Sequence, residues 1–140
     1  MAILIDSPAW SLLFRRDRNP RSGDERAFQL GVRDIVASGQ ALLIGAIRQE
    51  VLSGFRSEAR FLEFRDHLLA FSDEPVLMAD YETAALFWNR TWAAGIAPTS
   101  TDMLVCAVSA RLRAPVLTAD LDFERYARVL PVELHALSSR

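Results

Sequence analysis

The chain is 140 residues long with a formal net charge of −2, so no overall basic field advertises nucleic acid. Its single cysteine, Cys106, excludes an internal disulfide framework and a cysteine-based zinc cluster, and no apolar run approaches the roughly 20 residues of a membrane-spanning helix. All sixteen cations are arginine, and the missing lysine excludes a P-loop nucleotidase, a receiver domain and a haloacid-dehalogenase-type phosphatase in their usual forms.

Ile3 to Ile5 is a short all-apolar run of the kind a buried parallel strand shows. It leads from Met1 straight into Asp6, which gives the expectation of a cytoplasmic protein without a signal peptide. Ser7 as N-cap and Pro8 at the first helical position predict a helix to about Phe14. Arg15 to Gly23 reads as a polar loop through Asn19-Pro20 and Ser22-Gly23. A helix follows over Asp24 to Ser38, with Ala27, Leu30 or Gly31, Asp34 or Ile35 and Ser38 near one face, and Gly39 ends it.

Ala41 to Ile44 is the second predicted strand, followed by a helix from Ala46 to about Leu52 that Gly54 stops. Ser57 to Phe71 carries Phe61, Phe64, Leu68 and Phe71 on one helical face. A third strand is expected at Pro75 to Met78. Asp80 then caps a helix on which Tyr81, Ala84, Ala85, Trp88 and Trp92 follow the helical rhythm, ended by Gly95. Thr99-Ser100-Thr101 opens a helix to about Arg113, Val116 to Thr118 is a fourth strand, and Asp122 to Ala127 a short helix. A last strand is expected at Val132 to Leu134. Short strands alternating with helices give an α/β class with a mainly parallel central sheet flanked by helices. No internal repeat or linker divides it.

Four acids stand out against this framework: Asp6, Glu50, Asp102 and Asp120. Asp6 and Asp120 follow apolar strands; Glu50 and Asp102 are placed at or near helix starts. Sites in open α/β sheets form along the carboxyl ends of the strands, where Asp6 and Asp120 belong directly and which Glu50 and Asp102 can reach from helix starts nearby. Carboxylates in an apolar neighbourhood need a partner. A hard divalent cation that accepts oxygen ligands supplies one, and in two-metal hydrolysis it activates water for attack on phosphate. Structural readings stand beside this one. Asp6 or Ser7 can cap the first helix, Asp102 suits the positive end of a helix dipole, and Asp122 suits the N-cap of the short last helix.

Three segments resemble PIN-domain nucleases. Ile3-Leu4-Ile5-Asp6-Ser7 looks like the family's opening strand with its acid and small hydroxyl residue. Ile47-Arg48-Gln49-Glu50-Val51 is similar to its helical glutamate. Thr101-Asp102-Met103-Leu104-Val105-Cys106-Ala107, then Val116-Leu117-Thr118-Ala119-Asp120-Leu121-Asp122-Phe123, resembles its acid-bearing apolar helix and a strand ending in Thr-x-Asp-x-Asp-Phe. The match runs in order over essentially the whole chain, implying one PIN-like nuclease domain over residues 1–140. At this size it looks most like the VapC toxins of toxin–antitoxin pairs. That resemblance implies an endoribonuclease dependent on Mg²⁺ or Mn²⁺, dimeric and inhibited by a cognate antitoxin. Asp6, Glu50, Asp102 and Asp120 are then the catalytic, metal-binding acids, Thr118 and Ser7 orient a carboxylate or water, and Asp122 is a supporting acid. The polar connection over Arg15 to Gly23 is longer than the family's minimal pattern.

The alternatives at this point are a metal-dependent phosphatase of small phosphoesters and a non-catalytic module using the same fold as a docking platform. Arg15 and Arg16, with Arg18 and Arg21, suit RNA phosphates or simply a solvated loop; Arg111 and Arg113, near Asp120 in sequence, suit a substrate backbone or a helix C-terminus. Tyr81, Trp88 and Trp92 read as core or dimer interface, or as base-stacking surfaces. His67 and His135 read as incidental, and Cys106 as a small core hydrophobe.

Overall fold

The computed structural model describes residues 1–13 and 23–137. The polar connection beginning at Arg15, including the candidate RNA contacts Arg15 and Arg16, lies outside the described residues.

The first strand, β1 (Ile3–Ile5), is the middle of a three-stranded parallel sheet. One neighbour is β2 (Ala41–Leu42), with Ile3 opposite Ala41, and the other is β3 (Val116–Leu117), with Leu4 opposite Val116. All three residues of β1 are buried, which is why they read as a continuous apolar run. In chain order the helices are α1 (Ser7–Leu13), α2 (Gly23–Ala37), α3 (Gly45–Leu52), α4 (Glu58–Leu68), α5 (Met78–Ala93), α6 (Ser100–Leu112) and α7 (Asp122–Val129). The sheet order β2-β1-β3 reverses direction at β1, so the crevice beyond the carboxyl ends of β1 and β3 is the switch point of this topology.

Of the other expected strands, one is absent and one is reduced to a single bridge. Leu43 pairs with Asp73, and Pro75 to Met78 forms no strand. Pro75 has no N–H to give a ladder, and the Leu77 N–H is taken by Asp80 Oδ2 at 2.8 Å, which starts α5 at Met78. Val132 to Leu134 contributes one bridge, Leu134 to Val116, framed by Val116 N–H to the Glu133 carbonyl at 2.9 Å and His135 N–H to the Val116 carbonyl at 2.8 Å.

Helix α5 is rotated by about one residue, roughly 100°, relative to its expected face. Tyr81, Trp88 and Trp92 are exposed, and the buried stripe is Asp80, Phe87 and Thr91. Polar groups can face inward because each finds a partner. The Thr91 hydroxyl donates to the Phe87 carbonyl at 2.7 Å. The Arg111 Nε–H donates to Asp80 Oδ1 at 2.8 Å, while Arg111 also holds the Pro75 carbonyl at 3.0 Å. Burial pushes the Asp80 carboxyl upward, yet Arg111 and the Leu77 N–H together hold it below its ordinary range. Helix α2 differs as well: Val32 and Ile35 are its buried residues, and Gly31 leaves room for Leu137, whose Cδ1 would lie 2.7 Å from an added Cβ. On α4 the expected face holds, with Phe64 and Leu68 buried. Gly39 and Gly95 end their helices at φ of 78° and 77°, a backbone region that favours glycine.

Helix α6 is buried continuously from Asp102 to Ser109 and packs most extensively against α5. Its Cys106 is fully buried; burial, with Asp102 and Asp6 nearby, pushes the thiol far above its ordinary range and leaves it an unreactive core residue.

Candidate active site

The candidate site is built at the ends of β1 and β3. Asp6 is the first residue after β1 and is only 2% exposed. Its backbone carbonyl accepts the Trp10 N–H at 3.2 Å, so Asp6, not Ser7, precedes α1 as the capping position. Asp6 Oδ1 accepts the Ser7 N–H at 2.8 Å, and Oδ2 accepts the Thr118 hydroxyl at 3.0 Å. The same Thr118 oxygen accepts the Asp120 N–H at 2.9 Å, so one side chain links the loop after β3 to the acid after β1. Freed from capping, the Ser7 hydroxyl donates to Glu50 Oε1. Glu50 lies in the second half of α3, not at its start, and reaches the site through this bond.

Asp102 sits in the first turn of α6, where its N–H donates to the Thr99 cap hydroxyl at 3.1 Å. Its carboxylate is buried, and Oδ2 accepts the hydroxyl of Tyr126 at 2.9 Å. Tyr126 was not singled out from the sequence. Asp120 Oδ1 accepts the Asp122 N–H at 2.9 Å, so Asp120 satisfies the free end of α7, and Asp122 is the helix's first residue rather than its cap. The Asp122 carboxylate faces Arg125 at 3.6 Å on the surface.

The electrostatics tie the four acids together. Burial pushes the Asp6 carboxyl up to about 6; the Ser7 N–H and Thr118 hydroxyl oppose this, and the charges of Asp102 and Glu50 reinforce it. Burial also raises Asp102, against hydrogen bonds from Tyr126 and Thr99, with Asp120 and Glu50 adding repulsion. Each acid is therefore held by hydroxyl or amide donors that fix its direction without cancelling its charge. Among the described residues, no arginine forms an ion pair with any of the four.

The donor set is entirely carboxylate oxygen, the kind that suits Mg²⁺ and Mn²⁺. Among the described residues, no group of three or more His, Cys, Asp or Glu side chains stands ready to hold a metal ion as a protein cage. Mg²⁺ needs no such cage: it is held by one or two carboxylates, with waters and substrate phosphate completing its shell. The residues present fit an ion of that class.

The arginines expected to face a substrate do not stand here. Asp102 is in the first turn of α6, while Arg111 and Arg113 are at its far end, roughly 14–16 Å away along the axis at 1.5 Å per residue. Arg111 is committed to Asp80 and the Pro75 carbonyl. Arg113 closes α6 in the left-handed conformation, φ 53°. Closeness to Asp120 in sequence misled because β3 runs from that end of α6 toward the acids.

Comparison with known proteins agrees with this geometry. A PIN-domain family model matches residues 3–129. The chain belongs to the PIN-domain family. Two solved structures share this PIN fold. FitAcB from Neisseria gonorrhoeae superposes with a TM-score of 0.69 at 15% identity, covering 95% of this chain and 96% of that one. VapBC2 from Rickettsia felis, bound to a DNA fragment from their promoter, gives 0.67 at 10% identity, covering 96% and 98%. No curated protein sequence matches the chain. No helix of the PIN domain, among the described residues, is long and apolar enough to cross a membrane.

Proposed function

We propose that this PIN domain, taken as one unit over residues 1–140, is a Mg²⁺- or Mn²⁺-dependent endoribonuclease and the toxin of a toxin–antitoxin pair. The observation that carries the nuclease reading is the set of four mutually repelling acids, each oriented by a neutral donor and, among the described residues, none paired with a cation. An arrangement serving stability alone would pair such carboxylates with arginine, as Asp80 is paired. Asp6, Asp102, Asp120 and Glu50 would be the carboxylates from which the ion draws its protein ligands, with waters and substrate phosphate completing its shell. When bound, it supplies an activated water and stabilises the leaving oxygen of a phosphodiester. Thr118 aims Asp6 and fixes the loop bearing Asp120, and Ser7 aims Glu50. Asp122 supports the site through its backbone, by fixing Asp120 Oδ1.

The toxin reading and its cytoplasmic setting rest on the family resemblance and on the coverage of FitAcB and VapBC2 along nearly their whole lengths. It implies an antitoxin as partner. It also implies a homodimer, for which the exposed Met78, Tyr81 and Trp92 of α5 offer an apolar surface; sedimentation of a monomer at micromolar concentration would contradict the dimer.

The antitoxin-free protein, incubated with total RNA, should produce discrete fragments with Mg²⁺ or Mn²⁺ and none in excess EDTA. Turnover of p-nitrophenyl phosphate without RNA cleavage would instead make it a small-phosphoester phosphatase. Metal binding without any hydrolysis would make it a docking platform.

A further inference from the structure

The buried phenol of Tyr126 has no obvious structural purpose. Its ring lies in the core beside Phe123 of α7, which it meets edge-to-face at 5.2 Å and 76°, with buried Leu130 just past the helix end. A phenylalanine would fill that space without bringing a hydroxyl into the core, where it must find an acceptor. Two acceptors are near: the Ala97 carbonyl at 3.4 Å and Asp102 Oδ2 at 2.9 Å. The shorter bond goes to the acid, where a charged acceptor strengthens it.

Asp102 supplies an independent observation. It stands three residues after the cap Thr99, the position from which an acid ordinarily reaches back to the cap residue's N–H and completes a capping box. Asp80 does make that bond, from the equivalent position of α5 to the Leu77 N–H. Asp102 does not repeat that box: no bond from the Thr99 N–H to its carboxylate is formed among the described residues, its local hydrogen bonds run to the Thr99 side chain, and Oδ2 is drawn across to α7. The carboxylate is thereby tied across to α7 as well as to its own helix cap.

We propose that Tyr126 is a positioning residue for the site: its hydroxyl holds Asp102 Oδ2 so that Oδ1 faces a divalent cation in a fixed direction. This rests on the reading of the four acids as a metal centre. The role is not covered by Thr118 or Ser7, which act on Asp6 and Glu50.

The test is Mn²⁺ binding measured by calorimetry on the full chain, in wild type, Tyr126→Phe and Asp102→Asn. The phenylalanine variant should keep the wild-type circular dichroism and bind Mn²⁺ roughly 10- to 100-fold more weakly, the range found when a ligand's hydrogen-bond partner is removed. The Mn²⁺ concentration for half-maximal RNA cleavage should rise by the same factor. A merely structural role would leave the affinity of the folded variant at its wild-type value, and that result would overturn the proposal while leaving the metal centre standing. Wild type that binds no Mn²⁺ would overturn both. If Tyr126→Phe does not fold, fluorotyrosine labelling in a Tyr81→Phe background leaves Tyr126 as the one labelled tyrosine of the chain. Its ¹⁹F resonance should then follow the Mg²⁺ binding isotherm, and a resonance unmoved at saturation would refute the clamp.

Discussion

Replacing Asp6 with asparagine should abolish RNA cleavage and, at the same time, make the metal-free protein more stable at neutral pH. Asparagine keeps the shape: its oxygen can accept the Ser7 N–H, and the Thr118 hydroxyl can turn to accept from its amide. What disappears is a charge buried at 2% exposure beside Asp102 and Glu50. An aspartate ordinarily titrates at 3.8, as it does in the unfolded chain, whereas burial pushes folded Asp6 up to about 6. Between those values the native state keeps a proton that the unfolded state has released. The Asp6 contribution therefore favours folding most below pH 3.8, declines as pH rises through this window and levels off above 6. The accumulated cost at pH 7.5 is about 3 kcal/mol, at roughly 1.4 kcal/mol per pH unit.

In EDTA at pH 7.5, Asp6→Asn should consequently melt on the order of 10 °C above wild type. The gap should close near pH 4, where Asp6 is protonated in the native state. Saturating Mg²⁺ should restore the wild type and leave the variant unchanged, since an ion bound only to the native state stabilises it in proportion to its occupancy. A variant no more stable than wild type in EDTA would contradict the account of Asp6 as a functional charge held at a cost to the fold.

The second large effect is expected at Trp10, which anchors the site from beneath. Its side chain is fully buried, its indole N–H donates to the Ile5 carbonyl at 3.0 Å, and its ring meets Phe71 edge-to-face at 4.9 Å. Ile5 is the last residue of β1 and the immediate neighbour of Asp6. Trp10→Ala leaves a cavity and an unsatisfied buried carbonyl, costing about 3–5 kcal/mol. Urea unfolding followed by circular dichroism should show the midpoint falling by that equivalent. Trp10→Phe should lose less stability but still loosen the strand end. A loss below about 1 kcal/mol for the alanine variant would mean that the first helix does not brace β1.

Features lying close together in the chain were legible in the sequence. Ile3 to Ile5 followed by Asp6, and Val116 to Thr118 followed by Asp120, join an apolar strand to an acid within a few residues. Parallel strands must bring such ends to one edge, and the resemblance to PIN domains rests on the same contiguous segments. Partnerships across helices were not legible. Nothing local ties Ser7 to Glu50 or Tyr126 to Asp102, since each pair depends on how two separate elements meet. Tyr126 has one signal in hindsight: on the buried face Phe123, Tyr126, Leu130 it is the one residue carrying a polar atom. Helix α5 misled for the opposite reason. Its aromatic rhythm is regular, but an inward Asp80 becomes acceptable once Arg111 from α6 pairs with it, and that turns Tyr81, Trp88 and Trp92 outward. The third expected strand is absent for reasons local to the chain, a proline at its start and an acid placed to take the Leu77 N–H.

The central claim is that the four acids form one divalent-cation site. The most direct measurement is Mn²⁺ binding to the purified chain at pH 7.5, by electron paramagnetic resonance of the free ion, for wild type and Asp6→Asn. Wild type should take up Mn²⁺ in competition with Mg²⁺, and the folded asparagine variant should lose that uptake. Uptake that is equal in both proteins, or absent from both, would contradict it.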